Sequence, residues 1–238
     1  MKKLFLLPLV AMFSLVGCGG GDWKSEEVVI PTVEASDLKT AYDAAAALTS
    51  GATESMELSG VVVATSGNSF FLQQGYCGMY VYNKAVADLA VGKIVTLTST
   101  YQNYSTLVET KSISSAVLGE DGTLPASIKL LSNEQLGQLR QSILVHGSFE
   151  FVEKDVDWAS SAHALVKAKY INNGKTMEDE VTIKFDKYAF NAEKAELLNG
   201  LKAGDKFNIA GAVTTAYKAS AGGVSNQILF GTTSTVAK

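Results

Sequence analysis

Gly60-Val61-Val62, Phe70-Phe71-Leu72-Gln73-Gln74, Gly78-Met79-Tyr80-Val81-Tyr82 and Val91-Gly92-Lys93-Ile94-Val95 follow one another between positions 60 and 95. Short runs rich in β-branched and aromatic residues, broken by Ser66-Gly67-Asn68, Gly75 and Gly92, read as antiparallel strands joined by tight turns. Strands are expected over 56–65, 69–74 and 78–83, then a short helix or loop over 84–91, then strands over 94–101 and 104–115 with a turn at Gln102-Asn103. Ahead of them, Leu38, Ala41, Tyr42, Ala45 and Leu48 share one helical face behind Ser36, a good cap, so a helix is predicted over 36–50 with Gly51 as its stop.

Downstream the order repeats. Glu120-Asp121-Gly122-Thr123-Leu124-Pro125 marks a boundary, and Ser132-Asn133-Glu134-Gln135 resembles a capping box opening a helix to about Gln141. Strands are expected over 143–153, 162–171, 179–186, 206–215 and 225–236, with Asn173-Gly174 as a hairpin turn and a helix over 192–201 between strands three and four. Three strands, a helical insert and two strands is the order of an OB-fold barrel. The chain is therefore expected to be mainly β, with two tandem OB-fold-like five-stranded barrels, each preceded by a short helix. The expected divisions are 1–17, a lipoprotein signal peptide; 18–33, a flexible tether; 34–122, the first OB-like domain with its helix; 123–142, linker and helix; and 143–238, the second OB-like domain.

The start of the chain carries an address. Lys2-Lys3 precede an apolar stretch ending in Leu15-Val16-Gly17-Cys18, which resembles the lipobox of bacterial lipoproteins. That resemblance implies export, removal of residues 1–17 and lipidation of Cys18, anchoring the protein to the cell envelope. Gly19 after the cysteine favours the outer membrane if the host has one. The apolar core is too short to span a bilayer comfortably. With Cys18 carrying lipid, Cys77 has no disulfide partner and reads as a small buried hydrophobe on a strand.

The strands between 60 and 95 are similar to those of a family of secreted bacterial OB-fold domains that occur in lipoproteins and beside extracellular nucleases. The resemblance covers roughly 32–119 and departs from the family pattern at Gln74, where Asp is usual, and at Ser105, where Gly is usual. The second half shares it only through Val145-His146-Gly147 and residues 204–213. It implies a binding module, often assigned to nucleic acid; a fold by itself does not fix a function.

OB barrels bind on the outer face of strands two and three, framed by the loops joining strands one–two and four–five. Alternation puts Phe70, Leu72, Met79 and Val81 inward and Phe71, Gln73, Tyr80 and Tyr82 outward, with Tyr101 and Tyr104 bracketing the four–five loop. These six form a candidate aromatic platform for bases or sugar rings, unless the helix over 36–50 covers that face. The charge works against strong phosphate binding. The chain carries a net charge of −4, more acidic once Lys2 and Lys3 are removed, and Arg140 is its one arginine. His146 and His163 stand apart without companions at metal-ligand spacing, and Asp155-Val156-Asp157-Trp158 lacks the glycine and distal glutamate of a calcium loop. Glu178-Asp179-Glu180 reads as an exposed hairpin edge. There is no nucleophile elbow, phosphate loop or Cys-His pair. No enzyme, cofactor or metal is expected. The expected function is non-catalytic binding at the envelope, with single-stranded nucleic acid as the leading ligand and an oligosaccharide or an envelope protein partner as alternatives.

Overall fold

Ser36 begins the ordered architecture of the computed structural model, which describes residues 24–218 and 224–238. Its hydroxyl accepts from the Lys39 backbone N–H at 3.1 Å and starts helix α1 (Asp37–Ala46), which buries Leu38, Ala41 and Ala45. Five strands follow: β1 (Met56–Ser66), β2 (Ser69–Gln74), β3 (Cys77–Val81), β4 (Lys93–Tyr104) and β5 (Leu107–Asp121). They close in the order β1-β2-β3-β5-β4, with β3 and β5 parallel at Tyr80 and Glu109 and every other pairing antiparallel. This is the OB-fold closure. Phe70, Leu72, Met79 and Val81 point inward as the alternation requires, and α1 seats Leu38, Ala41 and Ala45 on the same core. Cys77 lies buried beside them.

The second unit opens with β6 (Ile128–Lys129) and α2 (Asn133–Gln138), then β7 (Leu144–Lys154), β8 (Ala164–Asn172) and β9 (Lys175–Phe185). A 3-10 turn (Lys187–Ala189) and α3 (Ala192–Asn199) lead to β10 (Lys206–Lys218), β11 (Val224–Phe230) and β12 (Thr235–Ala237). Strands β7-β8-β9-β11-β10 close a second barrel, again through a parallel pairing of strands three and five. Asn173 and Gly174 both take positive φ, +47° and +79°, as the predicted two-residue hairpin demands. β6 and β12 extend the sheet beyond the closure. Trp158, Phe185 and Phe230 meet in the core with ring centroids 4.5–5.7 Å apart.

Several boundaries differ from the sequence expectation. The β4–β5 turn falls at Ser105-Thr106, not Gln102-Asn103, because the Asn103 side chain accepts from the Thr106 N–H at 2.9 Å and both turn residues take positive φ. α1 stops at Ala46, short of 50, while residues 84–91 take the loop alternative of the expectation. The strand expected over 225–236 breaks after Phe230, and residues 231–234 turn around the Ser234 hydroxyl, which accepts from Gly231 N–H and donates to the Gly211 carbonyl. α2 ends at Gln138 rather than 141. The next residues reach back to the first barrel instead: Arg140 donates to Asp43 at 2.5 Å and lies 4.7 Å from the Tyr42 ring, and Gln141 accepts from Val108 N–H at 3.0 Å.

Residues 128–136 of the expected linker are built into the second unit. Ile128, Leu130, Leu131 and Leu136 are buried, and all but Leu131 join its core. Ser132 caps α2 as predicted, accepting from Gln135 N–H at 3.1 Å. The Gln135 side chain does not return the bond as a capping box would; it accepts from Leu131 N–H and donates to the carbonyls of Lys129 and Val29. Val29 belongs to the stretch read as a flexible tether. Cys18 and the signal peptide lie outside the described residues, and no helix among the described residues is long and apolar enough to cross a membrane.

Candidate ligand-binding surface

The outer face of β2 and β3, where an OB barrel ordinarily meets its ligand, is covered here. The cover is the second barrel, not α1. Val63, Ala64 and Phe71 form an apolar cluster with Leu144, Val213 and Leu229, and Tyr80 packs against its edge. Hydrogen bonds sew the margin. Gln73 Oε1 accepts from Leu144 N–H at 2.8 Å, Ser66 Oγ donates to the Asp186 carboxylate, and Thr232 N–H donates to the Thr65 carbonyl at 2.9 Å. Two glycines permit the approach: a Cβ on Gly78 would sit 2.1 Å from the Ser142 carbonyl oxygen, and one on Gly231 would sit 2.7 Å from that of Thr65.

This docking divides the six residues of the expected platform. Phe71 and Gln73 are sealed in the interface. Tyr101 faces the interior of the first barrel, where its hydroxyl donates to the Met56 carbonyl at 3.3 Å and burial raises its phenol pKa. These three are corrected from ligand-facing to structural. Tyr101 points inward by plain alternation with Val95, Leu97 and Ser99 along β4, while the extra residues at the β4–β5 register shifts, Ser114 and Lys111, fall on β5. Tyr104, 63 % exposed, stands at the β4–β5 hairpin end, on the chain segment that turns through Ser105 and Thr106.

Tyr80 and Tyr82 remain at the open margin of the seam. Tyr80 is half-buried, stacked on Phe71 at 4.8 Å, and its ring centroid lies 6.2 Å from that of Tyr82, which is 57 % exposed. Across the seam stands Tyr188, 58 % exposed, with its ring against Gly67, where a Cβ would lie 3.1 Å away. Gly67 holds φ +58°, so a side chain is disfavoured there twice over. Sequence reading passed over Tyr188 and its neighbour Phe190. The signal was present in Phe185-Asp186-Lys187-Tyr188-Ala189-Phe190, which carries three aromatics across the end of a predicted strand.

The charges around this margin are arranged unevenly. Asp186 is buried and occupied by Ser66 Oγ and the Tyr188 N–H. Glu109 is buried beside Tyr80; burial raises its pKa, offset in part by the 2.7 Å bond from Gln102 Nε2. Burial likewise raises the Tyr80 phenol. Three lysines stand near the margin: the half-buried Lys84, two residues after Tyr82; the exposed Lys111, next to the Thr110 hydroxyl that accepts from Tyr82 N–H; and the half-buried Lys187, whose Nζ lies 5.1 Å from the Tyr188 ring. The exposed Asp88 is on the same loop as Lys84. The outer face of β8 and β9, by contrast, mixes signs, with Lys167 paired to Glu153 at 2.6 Å and Lys169 opposite Glu180.

Elsewhere the chemistry is structural. His163 Nδ1 accepts from Lys187 N–H at 3.2 Å, and burial lowers the pKa of both histidines. Asp155 Oδ1 accepts from the N–H groups of Val156 and Leu165, which fixes the β7–β8 loop. Glu178, Asp179 and Glu180 are exposed on β9. No cluster of three or more metal-ligating side chains occurs among the described residues. A cleft of about 460 Å³ beneath residues 123–126 is lined by Val61, Ile94, Gln74 and Tyr76 among others and carries no charged side chain.

No protein-family model matches the chain, and no curated protein matches it. Among solved structures it is similar to fission yeast Pot1 with single-stranded DNA, at 11 % identity and TM-score 0.35 over 84 % of this chain and 93 % of that one. It is similar also to the single-stranded DNA binding protein of Thermus aquaticus, at 12 % identity and TM-score 0.24 over 79 % and 95 %. The OB-fold assignment rests on the strand order of each barrel.

Proposed function

We propose that this chain is a non-catalytic envelope protein, lipid-anchored through Cys18, that binds a single-stranded oligonucleotide along the seam between its barrels. The observation that carries the reading is the aromatic margin itself. Tyr82 and Tyr188 expose their rings at the seam margin beside the half-buried Tyr80, and the nearby lysines are the exposed Lys111 and the half-buried Lys84 and Lys187. Stacking on such rings is worth about 1–3 kcal/mol per base and tolerates any base. With about three phosphates to neutralise, binding is stacking-led, and log K falls with log salt at a slope near −2.

The test is a titration of the soluble protein with labelled oligothymidylate and, in parallel, a neutral oligosaccharide, at low and high salt. Tyr82→Ala and Tyr188→Ala are each expected to weaken oligonucleotide binding about 10-fold. Binding that collapses with salt and ignores both substitutions would refute the site. Preference for the oligosaccharide would reassign the ligand class, and no binding to either would point to a protein partner.

A further inference from the structure

The stretch expected to be a free tether is clipped to the second barrel at one end of its β8–β9 hairpin. Asn172 Oδ1, on a residue only 4 % exposed, accepts from Glu26 N–H at 2.7 Å. Asn173 Nδ2 donates to the Lys24 carbonyl at 2.8 Å. Lys129 Nζ reaches both carboxylate oxygens of Glu26 at 2.6–2.7 Å, and Gln135 Nε2 donates to the Val29 carbonyl at 3.1 Å. Four contacts from three different elements therefore hold residues 24–29 along one path. The chain visits the second barrel first and only then enters the first.

We infer that this strap orients the anchored protein, setting the Asn172–Gly174 turn of the second barrel toward the lipid surface and the aromatic seam away from it. The inference rests on the lipid-anchor reading of Cys18. Five residues separate Cys18 from Lys24, and the six steps between them span at most about 22 Å in any conformation. The bilayer surface therefore lies within that reach of the clip. The seam is at the other end of the same strands: β8 begins at Ala164, which pairs with Phe185, and Asp186 and Tyr188 follow directly. The nine residues of β8 separate the two ends by roughly 25 Å at about 3.3 Å per residue. β8 thus acts as a spacer, and a ligand arriving from solvent meets Tyr82 and Tyr188 on the side facing away from the membrane.

The test uses the full, lipid-processed chain in vesicles containing a headgroup-labelled acceptor lipid. A donor fluorophore is attached to Lys175→Cys near the clip or to Lys187→Cys at the seam. Cys18 sulfur is consumed by the lipid, and Cys77 is buried with its thiol pushed up to about 11, so neither competes for label. Vesicle flotation with energy transfer at least twofold more efficient from position 175 than from 187 is the expected result. Inserting a flexible Gly-Ser segment of about 20 residues after Gly21 should bring the two efficiencies together. Flotation with equal or reversed efficiencies overturns the orientation and leaves the anchor standing. A difference that survives the insertion also overturns it, since the short reach from the clip is then not the cause. Loss of flotation overturns the anchor and the orientation together.

Discussion

The side-chain carbonyl of Gln73, on the second strand of the first barrel, accepts a 2.8 Å hydrogen bond from the backbone N–H of Leu144, the first residue of the second barrel's first strand. The same amide donates to the Gly75 carbonyl at 2.7 Å. A residue positioned to face a ligand instead completes the backbone pairing of the neighbouring domain. Gln73→Leu leaves a buried N–H without a partner and should destabilise the protein by about 1–3 kcal/mol. Equilibrium urea unfolding measures this, and a change below about 0.5 kcal/mol would show the bond to be dispensable.

Gly78→Ala should force the barrels apart, because its Cβ would lie 2.1 Å from the Ser142 carbonyl oxygen and backbone cannot yield as a side-chain tip does. Gly75→Ala is the control. That position has open space but φ +56°, so its cost is the left-handed backbone alone, about 1 kcal/mol. Thermal unfolding, with small-angle scattering for the barrel separation, distinguishes the two; equal behaviour of the variants would contradict the close docking.

Tyr101 and Tyr104 were grouped by sequence and should part by experiment. Tyr101→Ala empties part of the first barrel's core and should cost about 3–5 kcal/mol. Tyr104→Ala, at an exposed hairpin position, should stay within about 0.5 kcal/mol. Chemical denaturation of the two variants side by side is sufficient.

The Arg140 guanidinium beside Asp43, helped by Lys39, holds that carboxyl below its ordinary range. A depressed carboxylate pKa stabilises the fold above the unfolded value of about 4 and loses that contribution as pH falls through the folded value. Wild type should therefore exceed Asp43→Asn in melting temperature at neutral pH, and the two curves should converge in acid below the folded pKa. Parallel melting curves across the whole range would remove this pair from the account of stability.

Cys18→Ser should abolish incorporation of a fatty-acid analogue and release the protein from the membrane fraction or stall its processing. Persistent labelling of the variant would sink the lipoprotein reading.

Much of the fold was legible because local rules suffice for it. The inward set Phe70, Leu72, Met79 and Val81 follows from two-residue alternation, the cap at Ser36 from its hydroxyl, and the turn at Asn173-Gly174 from the positive φ these residues tolerate. Element ends were less legible where a side chain overrode the local pattern, as Asn103 did by moving the β4–β5 turn to Ser105-Thr106.

By itself the sequence determined the identity and order of the elements, the doubling of the barrel and the residues each barrel folds around, since periodicity and turn chemistry are properties of neighbouring residues. Only the tertiary structure decided which surface is left to bind. Alternation states that Phe71 and Gln73 leave their own barrel; it cannot state that Leu144, Val213 and Leu229 arrive to cover them. Nor could it bring Tyr188 to Gly67, or clip Glu26 to Lys129 and Asn172. All of them join residues more than 70 positions apart; the contacts at the seam form where two closed barrels bury apolar outer faces against each other, and the Glu26 clip where buried and charged groups of the second barrel find partners, choices set by shape and hydrogen-bond satisfaction rather than by any local pattern.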